Sequence, residues 1–149
     1  MPVVVVLGAS SNPSKFGHRA VRAFLHAHWS VIPVNPRETL IQGLPCKASI
    51  DDIPGPVDVV SAYLPPPVLI SFLPAIARMG CLELWLNPGT DTPEVLDRYR
   101  LSSHLAPWYH HRLHLLAEWA PDLLPDGTKT IANDWSTITP WGFLHLPLL

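Results

Sequence analysis

Val3-Val4-Val5-Val6-Leu7-Gly8-Ala9-Ser10-Ser11-Asn12-Pro13-Ser14-Lys15-Phe16-Gly17 is the stretch whose reading decides the fold. Five apolar residues run without polar alternation into a loop of small and polar residues. A strand with no polar face needs cover on both sides, which is the habit of parallel sheets. From Gly17 to about His28 the apolar positions Ala20, Val21, Phe24 and Leu25 recur at helical spacing. Strand, loop and helix in that order make the first half of a parallel crossover unit.

The pattern repeats along the chain. Val31 to Val34 reads as a second strand that ends at Asn35-Pro36, and Ser49 before Asp51 and Asp52 reads as a capped short helix. Val57 to Tyr63 is a third strand, ending at Leu64-Pro65. Pro66 to Met79 is predicted as a helix with Gly80 as a left-handed stop, although Pro74 falls inside it and an internal proline costs about 3 kcal/mol. Leu82 to Leu86 is a fourth strand, ending at Asn87-Pro88-Gly89, and Thr92-Pro93-Glu94 opens another helix. The expected architecture is α/β: a Rossmann-like parallel sheet with helices on both faces.

The 149 residues suit one domain, and 48% hydrophobic against 15% charged residues excludes disorder from lack of apolar surface. A net charge of −2 gives no electrostatic reason to expect nucleic acid or an anionic membrane as partner. Cys46 and Cys81 stand far apart and form no Cys-x-x-Cys pair, so neither a disulfide nor a thiolate metal site is expected. The N-terminal apolar run is too short for a membrane span and lacks the basic flank of a signal peptide. A cytoplasmic protein is the expectation.

In doubly wound sheets, ligands bind beyond the carboxyl ends of the strands, where the strand order reverses. The polar and turn-forming residues fall at those ends. Gly8 permits a sharp turn, Ala9 keeps the backbone accessible, and Ser10 and Ser11 add hydroxyls. Lys15 supplies a mobile positive charge, and the first turn of the following helix favours a phosphate. The spacing is neither Gly-x-Gly-x-x-Gly, since Ser10 holds the second glycine position, nor a nucleotide-hydrolase phosphate loop. On the loop alone, a strand-to-helix turn with no ligand stays open as an alternative.

Gly8 to Gly17, Pro33-Val34-Asn35-Pro36, Ile53-Pro54-Gly55-Pro56-Val57-Asp58-Val59-Val60 and Leu84-Trp85-Leu86-Asn87-Pro88-Gly89-Thr90 together resemble the small single-domain CoA-binding proteins. That family resembles the nucleotide-binding domain of the succinyl-CoA ligase α subunit. The resemblance covers residues 1–100, in matching order, and implies coenzyme A as the small-molecule nucleotide ligand. It implies that Gly8, Ala9, Ser10, Ser11 and Lys15 meet the CoA phosphates, and that Asn35 and Pro36 flank the adenosine. Arg37 either pairs with the ribose 3′-phosphate or is a solvated arginine. Tyr63, Leu64 and Pro65 would flank the adenine or pantetheine, and Asn87 and Gly89 either close the site's floor or form a tight turn.

After about Arg100 the resemblance stops, and neither the next strand nor the late cysteine of the family is recognisable. Residues 101–149 hold four of the six tryptophans and five of the eight histidines. They read as a divergent extension over the sheet edge, a segment that docks a protein partner, or a frame-shifted sequence; the last two are preferred. His110 and His114 would share a helix face with His111 beside them, yet no third or fourth converging ligand completes a zinc site. Trp108, Leu115 and Trp119 would form an apolar helix stripe.

No catalytic constellation is identifiable. Ser10 and Ser11 have no recognisable His or Asp partner, no Gly-x-Ser-x-Gly elbow exists, and Asp51-Asp52 starts a short helix. The expectation is a non-catalytic CoA or acyl-CoA binding module. The alternatives are an NAD(P)-dependent oxidoreductase domain, opposed by Ser10 and by Asn35 where a ribose-binding acid would stand, and a protein-interaction module with a vestigial pocket.

Overall fold

A computed structural model of the chain describes residues 1–87, 90, 92–104 and 112–115. Chain order is β1 (Val3–Leu7), α1 (Phe16–His26), β2 (Ser30–Val34), β3 (Leu40–Ile41), β4 (Leu44–Pro45), β5 (Val57–Ala62), α2 (Pro66–Met79), β6 (Cys81–Leu86), α3 (Pro93–His104) and β7 (Arg112–Leu115). One five-stranded sheet has the order β2-β1-β5-β6-β7, with every pair parallel. The chain leaves β1 for β2 on one side, then returns to β5 on the other. The order therefore reverses between β1 and β5.

The apolar run of β1 is explained by this central place. Alternate residues of a strand face opposite sides of the sheet. Val4 and Val6 join Val59, Trp85 and the Ala20, Val21 and Phe24 face of α1. Val5 and Leu7 join Val60, Ala62, Leu84, Leu86, the Leu69, Leu73 and Ile76 face of α2, and Val95 of α3. All four β1 side chains from Val4 to Leu7 are buried. Helices on both faces, as the sequence predicts, leave no room for a polar residue there.

Phe24 is the hub of the α1 face, with its ring centroid 5.2 Å from Trp29 and 6.0 Å from Trp85. The Trp85 indole donates to Glu83 Oε2 at 3.0 Å, so the buried carboxylate of β6 stays hydrogen-bonded.

Several boundaries differ from the sequence reading. The third strand stops at Ala62, because Tyr63 already belongs to the loop over the sheet's end, although its N–H still donates to the Leu7 carbonyl. The Ser49 cap holds: its Oγ accepts from the Asp51 N–H at 3.2 Å, but the helix it opens is a single 3-10 turn. Helix α2 runs through Pro74 to Met79, since its buried Leu69, Leu73 and Ile76 outweigh the lost hydrogen bond. Gly80 has the positive φ expected, 85°, but an extended ψ of 135° rather than a left-handed helical one.

Two features are absent from the sequence reading. Strands β3 and β4 form a hairpin whose turn residues, Gln42 and Gly43, both have positive φ. Strand β7 pairs with β6 and carries the sheet past residue 100, the boundary read from sequence. His114 and Leu115 therefore lie on a strand, which corrects the helix face proposed for His114 with His110 and the helix stripe proposed for Leu115 with Trp108 and Trp119. Trp108, His110, His111 and Trp119 lie outside the described residues.

Phe24→Ala is expected to lower the unfolding free energy by about 3–5 kcal/mol, as for other buried aromatic truncations. The exposed Val68→Ala should change it by less than about 0.5 kcal/mol. Urea denaturation of both variants checks this.

Candidate anion-binding site

The loop from Gly8 to Lys15 leaves the carboxyl end of β1, at the point where strand order reverses. Gly8 has φ +81°, and a Cβ there would stand 2.5 Å from the Tyr63 carbonyl oxygen. At Gly17 a Cβ would fall on the Gly8 carbonyl oxygen. Both glycines are thus required by close approach. They let the first turn of α1 and the β5 loop press directly on the backbone of the loop.

Local hydrogen bonds set the rest of its course. The Asn12 N–H donates to Ser10 Oγ at 3.0 Å, and Asn12 Oδ1 accepts from the Ser14 N–H at 3.0 Å and from its hydroxyl at 2.8 Å. The Lys15 N–H donates to the Asn12 carbonyl at 3.0 Å. Asn35 is a strut from β2: its Nδ2 donates to the Ala9 carbonyl at 2.8 Å, and its Oδ1 accepts from the Arg37 N–H at 2.8 Å.

Four loop amides remain. The N–H groups of Ala9, Ser10, Phe16 and Gly17 have no protein acceptor among the described residues. Lys15 is exposed, and the ion pair found among the described residues joins Arg78 to Asp51 instead. Free amides, an ammonium with no ion pair among the described residues and the positive end of α1 are groups to which an anion could bind.

The other expected site residues divide into two groups. Arg37 is exposed, and only its backbone N–H is engaged; Pro36 beside it is also exposed. Tyr63 and Leu64 straddle the sheet end, Tyr63 against the α1 side and Leu64 against the α2 side, while Pro65 is the exposed cap residue of α2. Asn87 serves the turn reading: its carbonyl accepts from the Thr90 N–H at 3.0 Å and hydroxyl at 2.7 Å. Its Nδ2 donates to the Ala62 carbonyl at 2.7 Å and to Ser61 Oγ at 3.3 Å. Gly89 lies outside the described residues.

The structure adds two residues that sequence reasoning missed. His18, buried in the first turn of α1, has Nδ1 3.0 Å from the Ser10 carbonyl oxygen. A carbonyl can only accept, so Nδ1 carries the proton and Nε2 accepts from the Gln42 amide at 3.2 Å. Glu38 is the second. Its carboxylate accepts from the Ser11 N–H through both oxygens, at 3.1 and 3.0 Å, and from Asn35 Nδ2 at 3.3 Å.

These contacts also bear on catalysis. His18 meets the Ser10 carbonyl rather than its hydroxyl, and that hydroxyl accepts from the Asn12 N–H. Among the described residues no cluster of His, Cys, Asp or Glu could hold a metal ion. No helix among them is long and apolar enough to cross a membrane.

Tyr63 is half-buried, its phenol accepts from Ser61 Oγ at 3.2 Å, and the loss of water around it holds it well above the usual tyrosine range. A raised folded pKa gives stability that is complete below the unfolded value of about 10 and is lost as pH rises beyond it. Tyr63→Phe should therefore lose about 1 kcal/mol less stability than the parent between about pH 8 and pH 11. Urea denaturation at the two pH values measures the difference.

Residues 3–105 match the family described as CoA binding domain. The α subunit of acetate–CoA ligase (ADP-forming) II from Pyrococcus furiosus is 35% identical over 63 residues, 42% of this chain and 14% of that one. The uncharacterized protein YneT of Bacillus subtilis is 32% identical over 60 residues, 40% of this chain and 44% of its own length. Both matches thus span less than half of those relatives. Among solved structures, a conserved hypothetical protein from Pyrococcus furiosus superposes with TM-score 0.66 at 27% identity, covering 76% of this chain and 93% of that one. A Thermus thermophilus protein superposes with TM-score 0.64 at 25% identity, covering 87% and 90%. A dinucleotide-forming acetyl-coenzyme A synthetase 1 of Ca. Korarchaeum cryptofilum, solved with phosphate and ADP, shares the fold with TM-score 0.63 at 23% identity, over 75% of this chain and 25% of that one. With the glycine-bounded loop at the β1–β5 reversal and the match over residues 3–105, the chain belongs to the CoA binding domain family.

Proposed function

We propose that the protein binds coenzyme A or an acyl-CoA, with the pyrophosphate seated on the Gly8–Gly17 loop, and acts as a non-catalytic carrier or regulatory module. The observation that carries this reading is the set of unpartnered amides at Ala9, Ser10, Phe16 and Gly17 beside the unpaired Lys15. Several free N–H groups on one loop with one exposed cation would match the charge and acceptor density of a pyrophosphate. Arg37, exposed just past the end of β2, would meet a phosphate on the adenosine ribose. Tyr63 and Leu64 offer an apolar wall on the other side of the loop.

The non-catalytic part rests on chemistry the described residues lack. The histidine nearest Ser10 is committed to a backbone oxygen, and Asp51 is engaged with Arg78 on the protein surface.

One observation favours the dinucleotide alternative: Glu38 brings a carboxylate beside the loop, where sequence reasoning expected no acid. In nicotinamide-binding domains such an acid accepts from the ribose hydroxyls. Family membership and Ser10 at the second glycine position weigh on the other side.

Calorimetric titration of one protein stock with CoA, acetyl-CoA and NADH separates the readings. CoA binding is expected, with NADH weaker, and Lys15→Ala should weaken CoA about tenfold or more through loss of a charged hydrogen bond. Folded protein that takes NADH but not CoA would overturn the proposal. A role for residues 101–149 in docking a protein partner is tested by pull-down with the full chain and with a chain ending after Leu115, which keeps β7.

A further inference from the structure

The Ser10–Ser11 peptide is engaged from both sides. A trans peptide directs its C=O and N–H oppositely. His18 Nδ1–H holds the carbonyl at 3.0 Å from the α1 side, so the Ser11 N–H is turned the other way. Glu38 takes that N–H with both carboxylate oxygens, at 3.1 and 3.0 Å. Of the loop's outward amides this is the one already bound to an anion, and that anion belongs to the protein.

We propose that Glu38 is a specificity-determining residue of the loop: a tethered carboxylate that occupies the Ser11 N–H until a ligand phosphate displaces it. The inference rests on the reading of the loop as a phosphate site. A carboxylate and a phosphate present similar charged acceptors to an N–H, and the tethered one needs no association from solution. Glu38 is only half-buried and sits on the exposed connection between β2 and β3, so it can leave into solvent. Its remaining bond to the site, from Asn35 Nδ2 at 3.3 Å, is long, and Asn35 keeps its 2.8 Å bond to Ala9 when Glu38 departs.

Displacement sets a threshold for ligands. A phosphate that also reaches the free amides of Ala9, Ser10, Phe16 and Gly17 and the Lys15 ammonium outcompetes one carboxylate. A monoanion that can offer no more than Glu38 already does gains nothing. A phosphate that bound with Glu38 still in place would face a like charge at hydrogen-bond range, so the two exclude each other. Apparent affinity is therefore reduced by the fraction of molecules in which the carboxylate holds the amide.

The test compares Glu38→Gln with the parent for inorganic pyrophosphate and for CoA by calorimetry. The amide keeps the side chain's shape and an acceptor for Ser11 while removing its charge. Asp52→Asn, on the turn before β5 at the opposite end of the sheet, removes the same charge elsewhere. Glu38→Gln should bind both probes about fivefold or more tightly, and Asp52→Asn should bind as the parent does. Tighter pyrophosphate with no CoA binding in either protein would sustain Glu38's role while refuting the CoA reading. Unchanged pyrophosphate with weaker CoA would make Glu38 a ribose ligand and overturn the proposal. Equal affinities in all three proteins, an equal gain in Asp52→Asn, or no binding of either probe to folded Glu38→Gln would overturn it as well. If Glu38→Gln folds poorly, Glu38→Ala is read against the same outcomes.

Discussion

The contact between Gly17 and the Gly8 carbonyl is the constraint on which the rest depends. It fixes where α1 begins relative to the end of β1, with no side chain between the two backbones. The free amides of the helix's first turn are thereby brought beside those of the loop. The Gly8 backbone, in turn, lies against the Tyr63 carbonyl, so the loops after β1 and β5 are locked together at the reversal of strand order. A buried β1 anchors the whole arrangement, because Val4 to Leu7 are packed on both faces.

That backbone site is tuned by three side chains of different character. Asn35 is a strut, with its side-chain amide committed to Ala9, Arg37 and Glu38. His18 orients a peptide plane from beneath and is tied through Gln42 to the β3–β4 hairpin. Glu38 supplies charge. On the proposed reading, binding capacity and its restraint come from the same few residues around one peptide, to which the hairpin is hydrogen-bonded through Gln42 and His18. Sequence change in the Gln42–Gly43 turn would reach the loop through His18.

Much of this was legible because local signals and tertiary roles coincide. The unbroken apolar run of β1 and the mainly apolar runs of β5 and β6 betray strands buried on both faces, and the Ala20, Val21, Phe24 spacing betrays α1. The candidate site residues were sought on consecutive strand ends because strand ends converge in such a sheet. Glu38 was not found, since its position four residues past β2 matters only once the chain folds back onto Ser11. His18 read as nothing, because a histidine's hydrogen-bond partner on a backbone oxygen leaves no trace in sequence. The hairpin was missed although Gln42-Gly43 between apolar pairs carried its turn signal. Strand β7 was missed because Arg112–Leu115 lacks the apolar run that marks its neighbours, and an edge strand does not need one.

Backbone amide shifts on adding CoA to isotope-labelled protein test the central claim most directly. Anion capture by the loop predicts saturable shifts concentrated at Ala9, Ser10, Ser11, Phe16 and Gly17. Saturable binding that leaves those amides unmoved and shifts residues at the amino-terminal end of the sheet would contradict it.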